Sequence, residues 1–360
     1  MQRVGNAIVA TLITDLEFFL VEIPCIGLEP PVRSLVVRLS TNRGQEGWGE
    51  AKAEWRADEL PGWHDALLPV LAGRSVFDIE DLLALGVLRS SSLRCALEMA
   101  SWDLIGRISG QPLCHLFGGG YRPRIPLAVR LSDGTSEQIA RFSRELSEQG
   151  FHWQIIPSSG RLDQDLERVA AVRAVVNERT SLRFDASANY DIESARDLCG
   201  ELENAGLQYI VDPLKTRNLE QIASLRRQTS APLAIWRAVH SPADVLAMVR
   251  CGAAPFAIVD LQLVGGLIPA RKCAAIIQAA GLGASLSVGP SLGIAASAML
   301  QLASASPAFK GCNEFAYHHL QDDLLVEPLP GSSGMAAVPQ GPGLGIEVDR
   351  AKIEKYQVIH

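Results

Sequence analysis

At 360 residues, with 48% hydrophobic and 20% charged side chains, the chain is long enough for one large domain plus a smaller one and apolar enough to fill both. A formal net charge of -7, with no Lys/Arg-rich run, excludes a phosphate-backbone binder, so no nucleic-acid partner is expected. The cysteines (Cys25, Cys95, Cys114, Cys199, Cys251, Cys273 and Cys312) form no CxxC pair and read as buried thiols in a reducing compartment, which predicts a cytoplasmic protein.

The apolar run Ala7–Ile13 is broken by Asp15 and Glu17, too soon for a membrane span and without a signal-peptide layout, so no membrane partner is expected. Asp15–Pro24 and Arg33–Ala51 are rich in Val, Leu and Phe. Thr41-Asn42-Arg43-Gly44 supplies a turn between Val36–Leu39 and Gly47–Ala51, which predicts an antiparallel meander. Leu60–Leu88 and Ser91–Ser109 carry helical periodicity, and Gly110 with Pro112 just beyond stops the second. Gly118-Gly119-Gly120 and Pro123 read as a linker; they lack the strand-turn-helix setting of a phosphate cradle.

From Ile125 onward short apolar runs, each ended by a small, charged or turn residue, alternate with amphipathic segments about every 25 residues. The runs are Ile125–Leu131, Gly150–Pro157, Leu182–Ala186, Tyr209–Pro213, Leu233–Arg237, Phe256–Asp260 and Ala284–Pro290. The helical segments are Ser136–Gln149, Gln164–Asn177, Ile192–Ala205, Leu219–Thr229, Pro242–Gly252, Ile268–Ala280 and Ile294–Ala303. Such parallel βα units place active sites at the carboxyl ends of the strands once they close into a barrel. The tail from Asp322 to Gly343 is rich in Pro and Gly and reads as an extended segment packing back on the first domain.

Several motifs stand in order along nearly the whole chain: Gly47-Trp48-Gly49-Glu50-Ala51, Ala96–Gly106 with Gly118-Gly119, Val264-Gly265-Gly266-Leu267, Asp322-Asp323-Leu324-Leu325, and Val338-Pro339 with Gly341–Gly345. In this arrangement the chain resembles the mandelate racemase and muconate-lactonizing branch of the enolase superfamily, with Met1–Thr11 as an extension. The resemblance implies an α/β protein with a modified (β/α)7β TIM-like barrel and an α+β capping domain. Residues 1–124 would form the capping domain, 125–320 the barrel, and 321–360 a segment returning to the cap. A homo-oligomer is the default expectation.

The resemblance also implies a chemistry, removal of a proton beside a carboxylate. Mg2+ on three carboxylates, at the ends of strands three to five, and a Lys or His base perform it. At the matching positions Asp185 is retained, but Val211 stands before Asp212-Pro213 where a Glu would be, and Trp236-Arg237 replaces an Asp-Glu pair. Neighbouring strand residues face opposite ways, so Asp212 is expected to point away from the barrel mouth. The Lys-x-Lys of strand two is absent; a shifted register would offer His152 or Gln154 but no lysine. Asp260 stands on strand six without a strand-seven His, and Gly289 replaces a Glu. With one of three ligand positions kept, no metal ligand set and no cofactor are expected.

The catalytic candidates are therefore Asp185, Arg237 and Asp260, with Arg237 supplying positive charge where Mg2+ would sit. Arg130, Lys215 and Trp55 are the substrate-binding candidates, for a small anionic ligand. Plainer roles compete at each position: Arg237 exposed on a loop with Trp236 filling the mouth, Lys215 and Arg217 solvated, His115 and the His318-His319 pair structural. Three functions follow in descending order. The first is a catalytically divergent member without Mg2+ or lysine bases that does not run the family's enolisation and serves as a non-enzymatic binding or scaffolding protein built on the barrel. The second is a metal-independent enzyme acting on an anion. The third is a conventional Mg2+-dependent cycloisomerase, racemase or dehydratase, with Asp212 and Asp260 recruited beside Asp185.

Overall fold

In the computed structural model, which describes residues 10–26, 30–314 and 317–358, the meander is formed by β1 (Ile13–Ile23), β2 (Val32–Thr41) and β3 (Glu46–Lys52), paired antiparallel in that order. The expected extension Met1–Thr11 lies almost wholly outside these residues, as does the His318 side chain. Gly44 closes the β2–β3 turn at φ 73°, a left-handed conformation that glycine adopts without penalty.

The segment Leu60–Leu88 is not one helix. It divides into α1 (Leu60–Leu71) and α2 (Ile79–Leu83), because the intervening backbone bonds to β1: Ile13 N–H donates to the Arg74 carbonyl (2.9 Å) and Gly73 N–H to the Ile13 carbonyl (2.8 Å). These sheet-edge bonds override the local periodicity. The helix α3 spans Ser91–Ser109 as expected, with the Ser90 hydroxyl capping Leu93 N–H and Gly110 ending it at φ 64°. The strand β3 lies hard against it. A Cβ at Gly49 would stand 1.9 Å from the Ala96 carbonyl oxygen, which is why a glycine belongs in that strand. The short α4 (Leu113–Leu116) leads into the linker.

The barrel strands are β4 (Arg124–Arg130), β5 (Trp153–Pro157), β6 (Ser181–Asp185), β7 (Leu207–Val211), β8 (Leu233–Ile235), β9 (Phe256–Asp260), β10 (Gly283–Ser287) and β11 (Asn313–Glu314). They pair in parallel in chain order, and β11 returns to β4, closing the barrel. Between them run α5 (Ser136–Glu148), α6 (Leu162–Val175), α7 (Ile192–Leu202), α8 (Leu219–Arg226), α9 (Pro242–Cys251), the pair α10 (Leu261–Val264) and α11 (Leu267–Ala279), and α12 (Gly293–Ala305). The β12 (Gly331–Ser332) and β13 (Met335–Ala337) hairpin adds antiparallel to the start of β4, and α13 (Arg350–Tyr356) follows.

Alternation along the barrel strands sorts side chains by face. Leu182, Phe184, Ile210, Leu233 and Val259 join the large core beneath the helices. The opposite set, Tyr209-Val211-Ala234-Ile258 and Ala128-Ile155-Cys312, fills the barrel centre. Among the described residues no helix is long and apolar enough to cross a membrane.

The motif residues that carry the resemblance are joints between the two domains. Buried Glu50 accepts from the Ser34 hydroxyl (2.8 Å) and from Leu292 and Ala295 N–H (2.7 and 2.9 Å) at the start of α12. Buried Glu98 accepts from Leu267 and Ile268 N–H at the start of α11 and from the Trp102 indole. Asp103 takes Trp48 N–H, Leu344 N–H and the Arg107 guanidinium. Carboxylates thus cap barrel helices from the other domain, the arrangement that helix N-termini favour. This seam holds the cap over the carboxyl ends of the barrel strands.

Candidate functional site at the barrel mouth

The mouth is built from the last inward residue of each strand: Arg130, Pro157, Asp185, Val211, Asp260, Ser287 and Glu314, with Trp236 and Arg237 just past β8. At its centre lies the Arg237 guanidinium. Its Nη1 donates to Asp185 Oδ1 (3.0 Å) and Asp212 Oδ2 (3.0 Å), and its Nη2 donates to Asp185 Oδ2 (2.9 Å). Arg130 Nη1 donates to the same Asp185 oxygen at 2.7 Å. The expected Asp185–Arg237 pair is therefore present, and Arg130 joins it.

Asp212 departs from expectation. The strand β7 ends at Val211, and Asp212 takes φ 43°, so strand alternation no longer governs where its side chain goes. Its carboxylate turns into the mouth and accepts from Trp236 N–H (3.0 Å) and Arg237 N–H (2.8 Å) as well as from the guanidinium. Ser187 and Ala188, just beyond Asp185, also have positive φ (54° and 57°), and Ala188 N–H bonds to the Asp212 carbonyl. Strained backbone is concentrated around the paired carboxylates.

Electrostatics separate the two. Burial pushes both carboxyls up. At Asp185 the hydrogen bonds from Arg237 and the charge of Arg130 outweigh burial, and its pKa is lowered. At Asp212 burial prevails over the Trp236 and Arg237 amides, and the charge of Asp185 adds to it, so its pKa is raised. Burial would lower the pKa of Arg237, but the two aspartates reverse that and hold it protonated.

Both Trp236 and Arg237 contribute to the interior, the guanidinium lying 4.6 Å from the indole centroid. Trp236 divides the mouth in two. On one side is an outer cavity of about 300 Å3 whose walls include Lys52, Ser91, Ser92, Arg237, Asp260 and Gln262. On the other is an inner chamber of about 70 Å3 bounded by Ala128, Arg130, Ile155, Ser287, Pro290 and Glu314. The Trp236 indole N–H donates to Asp260 Oδ2 (3.2 Å), and the other Asp260 oxygen caps Gln262 and Leu263 N–H. Burial raises the Asp260 pKa against these bonds and the Lys52 charge.

Of the residues picked from sequence, Asp185, Arg237, Asp260 and Arg130 meet here. Lys215 is exposed and lines neither cavity; its loop runs outward after Lys215 N–H bonds the Tyr190 carbonyl. Trp55 packs edge-on against Trp63 (6.1 Å) inside the cap and leaves the cover of the mouth to Lys52 and Glu54. Gln154 faces α5, where its amide binds Ser143 and Ser147, so no change of role brings it into the barrel. His319 sits under the mouth with Nε2 against the Arg130 carbonyl (3.3 Å), a packing position. Among the described residues no cluster of three or more His, Cys, Asp or Glu is placed to hold a metal ion.

Three site residues were missed. Glu314 ends a strand of two residues, too short for any periodicity; its charge at the close of Cys312-Asn313-Glu314 was the one signal. It is 9% exposed, and burial, with Asp185 adding, raises its pKa to about 7 against the pull of Arg183, Arg130 and Arg237. Gln262 ties Lys52 N–H to the Val288 carbonyl and so joins cap to barrel at the cavity wall. Lys52 itself follows the Gly47–Ala51 motif directly.

Comparison with known proteins places this geometry. Residues 31–118 match the mandelate racemase / muconate lactonizing enzyme N-terminal domain, and residues 138–352 match the enolase C-terminal domain-like family. The chain is 29% identical over 339 residues to muconate cycloisomerase 1 of Rhodococcus opacus, covering 89% of this chain and 90% of that one. It is 24% identical to the N-succinyl-L-Arg/Lys racemase of Bacillus cereus, covering 90% of each. The crystal structure of 2-chloromuconate cycloisomerase from Rhodococcus opacus superposes with a TM-score of 0.91 at 26% identity, covering 97% of this chain and 100% of that one.

Proposed function

The chain belongs to the mandelate racemase / muconate lactonizing enzyme branch of the enolase superfamily, and we propose that within it this protein is a divergent, Mg2+-independent member. It binds a small organic anion at the barrel mouth and does not run metal-assisted proton abstraction. The observation that carries this reading is Arg237, whose one guanidinium spans Asp185 and Asp212.

The donor set supports it. Mg2+ takes near-octahedral oxygen ligands at about 2.0–2.1 Å. Here both Asp185 oxygens accept from guanidinium nitrogens, Asp212 is committed to two backbone amides and Arg237, Val211 offers hydrocarbon and Trp236 an indole. These residues do not fit Mg2+. A tethered guanidinium is a fixed, always-charged cation, able to hold an anion electrostatically where a metal would otherwise act. The strand β5, Trp153–Pro157, carries no lysine to serve as a base. The cycloisomerase and racemase activities in the relatives' names therefore lack their expected residues in this chain.

A second reading, a metal-independent enzyme, is favoured by one observation: carboxyls of raised pKa, Asp260 and Glu314, stand on opposite sides of Trp236. Asp260 would then move a proton in the outer cavity, where Lys52 and Arg237 hold the substrate. An activity unchanged in Asp260→Asn would remove that role.

The deciding experiment is calorimetric titration of chelator-stripped protein with Mg2+ and Mn2+, with Asp185→Asn alongside. No saturable binding is the expected result. Tight binding lost in Asp185→Asn would overturn the proposal and restore the metal-dependent reading.

A further inference from the structure

Trp236 carries more fixed contacts than a residue just past a short strand needs. Its backbone N–H is held by Asp212 Oδ1 (3.0 Å), its indole N–H by Asp260 Oδ2 (3.2 Å), and the Arg237 guanidinium lies against its ring. At its base the ring packs on the barrel-centre cluster of Tyr209, Val211, Ala234 and Ile258. Tyr209 is in turn backed by Arg183, fully buried on the inward face of β6 with its guanidinium 4.8 Å from the phenol centroid. A bulky side chain tied at its backbone, its edge and its base is held in one orientation.

The opposite side of this partition is thin. Gly289 and Pro290 join Trp236 on the walls of both cavities, and no atom lies within 4 Å of where a Gly289 Cβ would stand. The indole therefore does most of the dividing. Size sorts the two compartments, because a cavity of about 150 Å3 already accepts benzene. The outer cavity, at about 300 Å3, has room for a ring with a carboxylate attached; the inner chamber, at about 70 Å3, has no room for the ring. Charge sorts them as well. Lys52 and the partly exposed Arg237 are the cations of the outer wall, but Glu54 and Asp260 stand on the same wall, and Arg130 lies on the inner side. One anionic group can pair with Lys52 and Arg237. A second, at the far end of the same ligand, meets the outer acids or the indole and is kept from Arg130. Leu263, Val288 and Pro290 line the outer cavity with hydrocarbon.

We propose that Trp236 is the specificity-determining residue of the mouth: by closing off Arg130 it admits to the outer cavity a monoanion with an apolar body and refuses the dianion of the same body. Selection of this kind works by denying the competitor a partner for its second charge. It rests on the metal-free reading of the mouth, because it counts Arg237 as the resident cation.

The test is calorimetric titration of the full chain with benzoate and with terephthalate, which differ by one carboxylate across the ring, in chelator and again with Mg2+. Wild type should bind benzoate at least about tenfold more tightly than terephthalate. In Trp236→Ala the compartments join, and terephthalate should gain about tenfold or more relative to benzoate as its second carboxylate reaches Arg130. Arg130→Met added to Trp236→Ala should abolish that gain. Should Trp236→Ala not fold, Trp236→Leu, which keeps hydrocarbon on the Tyr209 cluster, is read in the same way. A tryptophan with a structural role alone would weaken both ligands alike when replaced, so a ratio that does not move overturns the proposal. So does a wild type without preference for benzoate, or one that binds no benzoate under either condition. Benzoate bound only with Mg2+, with the preference present and lost in Trp236→Ala, would sink the metal-free reading and leave the partition standing.

Discussion

At the seam between the domains, Glu50 and Glu98 direct their buried oxygens at backbone N–H groups opening α12 and α11. At the barrel mouth, Asp185 and Asp212 are also buried but share one side chain, Arg237, with Arg130 added at Asp185 and two backbone amides at Asp212. The two solutions differ in what can replace them. A helix N-terminus cannot be exchanged without unfolding the helix, so the seam is committed to structure. A guanidinium can be displaced or rearranged by a ligand, so the mouth stays open to chemistry while the seam does not.

The largest effect should come from breaking the seam. In Glu50→Ala the Leu292 and Ala295 amides and the Ser34 hydroxyl lose their acceptor, a loss on the order of 3–5 kcal/mol in chemical denaturation. Glu50→Gln, which keeps an acceptor oxygen, should lose markedly less. Burial raises the pKa of both Glu50 and Glu98 to about 7 from the ordinary 4.5. A raised folded pKa means the folded state holds the proton more tightly than the unfolded chain. Their stabilising contribution is therefore complete below about pH 4.5 and lost as pH rises through about 7, by on the order of 1–3 kcal/mol. Glu98→Gln should flatten that decline, and a wild-type stability that climbs from pH 5 to pH 8 (roughly) would contradict the assignment.

The mouth should respond in the opposite sense to pH. Arg237→Met strands Asp185 and Asp212 beside one another and is expected to lose about 1–3 kcal/mol near neutrality. The lowered pKa of Asp185 gives stability present above the unfolded value and lost as pH falls through the folded one. The gap between wild type and Arg237→Met should accordingly close as the solution is acidified below about pH 4. A gap that stays constant would mean the arginine acts through packing on Trp236 alone. Smallest of all should be Arg56→Ala: the Arg56–Asp58 pair is 78% and 63% exposed, and the change should stay within about 0.5 kcal/mol in the same denaturation assay.

Much of this was legible before any coordinates. The helix Ser91–Ser109 could be bounded to the residue because Ser90 caps it and Gly110 stops it, both local effects. Leu60–Leu88 could not, since its break depends on hydrogen bonds to β1, distant in sequence. The same division runs through the site. Asp185 and Arg237 close apolar runs and were found. Asp212 was set aside by an alternation rule that stops applying one residue after the strand does. Arg183, between Leu182 and Phe184, carries no local mark of being inside the barrel. Only closure of the sheet decides which face of β6 is interior.

The joints described at the seam also order events during synthesis. Asp103, in the first third of the chain, finds its Leu344 amide only after the whole barrel has been made, and Val358 N–H closes on the Leu20 carbonyl later still. Glu50 likewise waits for residues 292–295. A nascent cap leaving the ribosome therefore carries buried-type acids with no amides to meet them, and neither domain can finish folding before the other exists. Sequence-distant contacts of this kind slow the approach to the native state. Chain length already translated, more than local stability, sets when the barrel mouth of this protein is first complete.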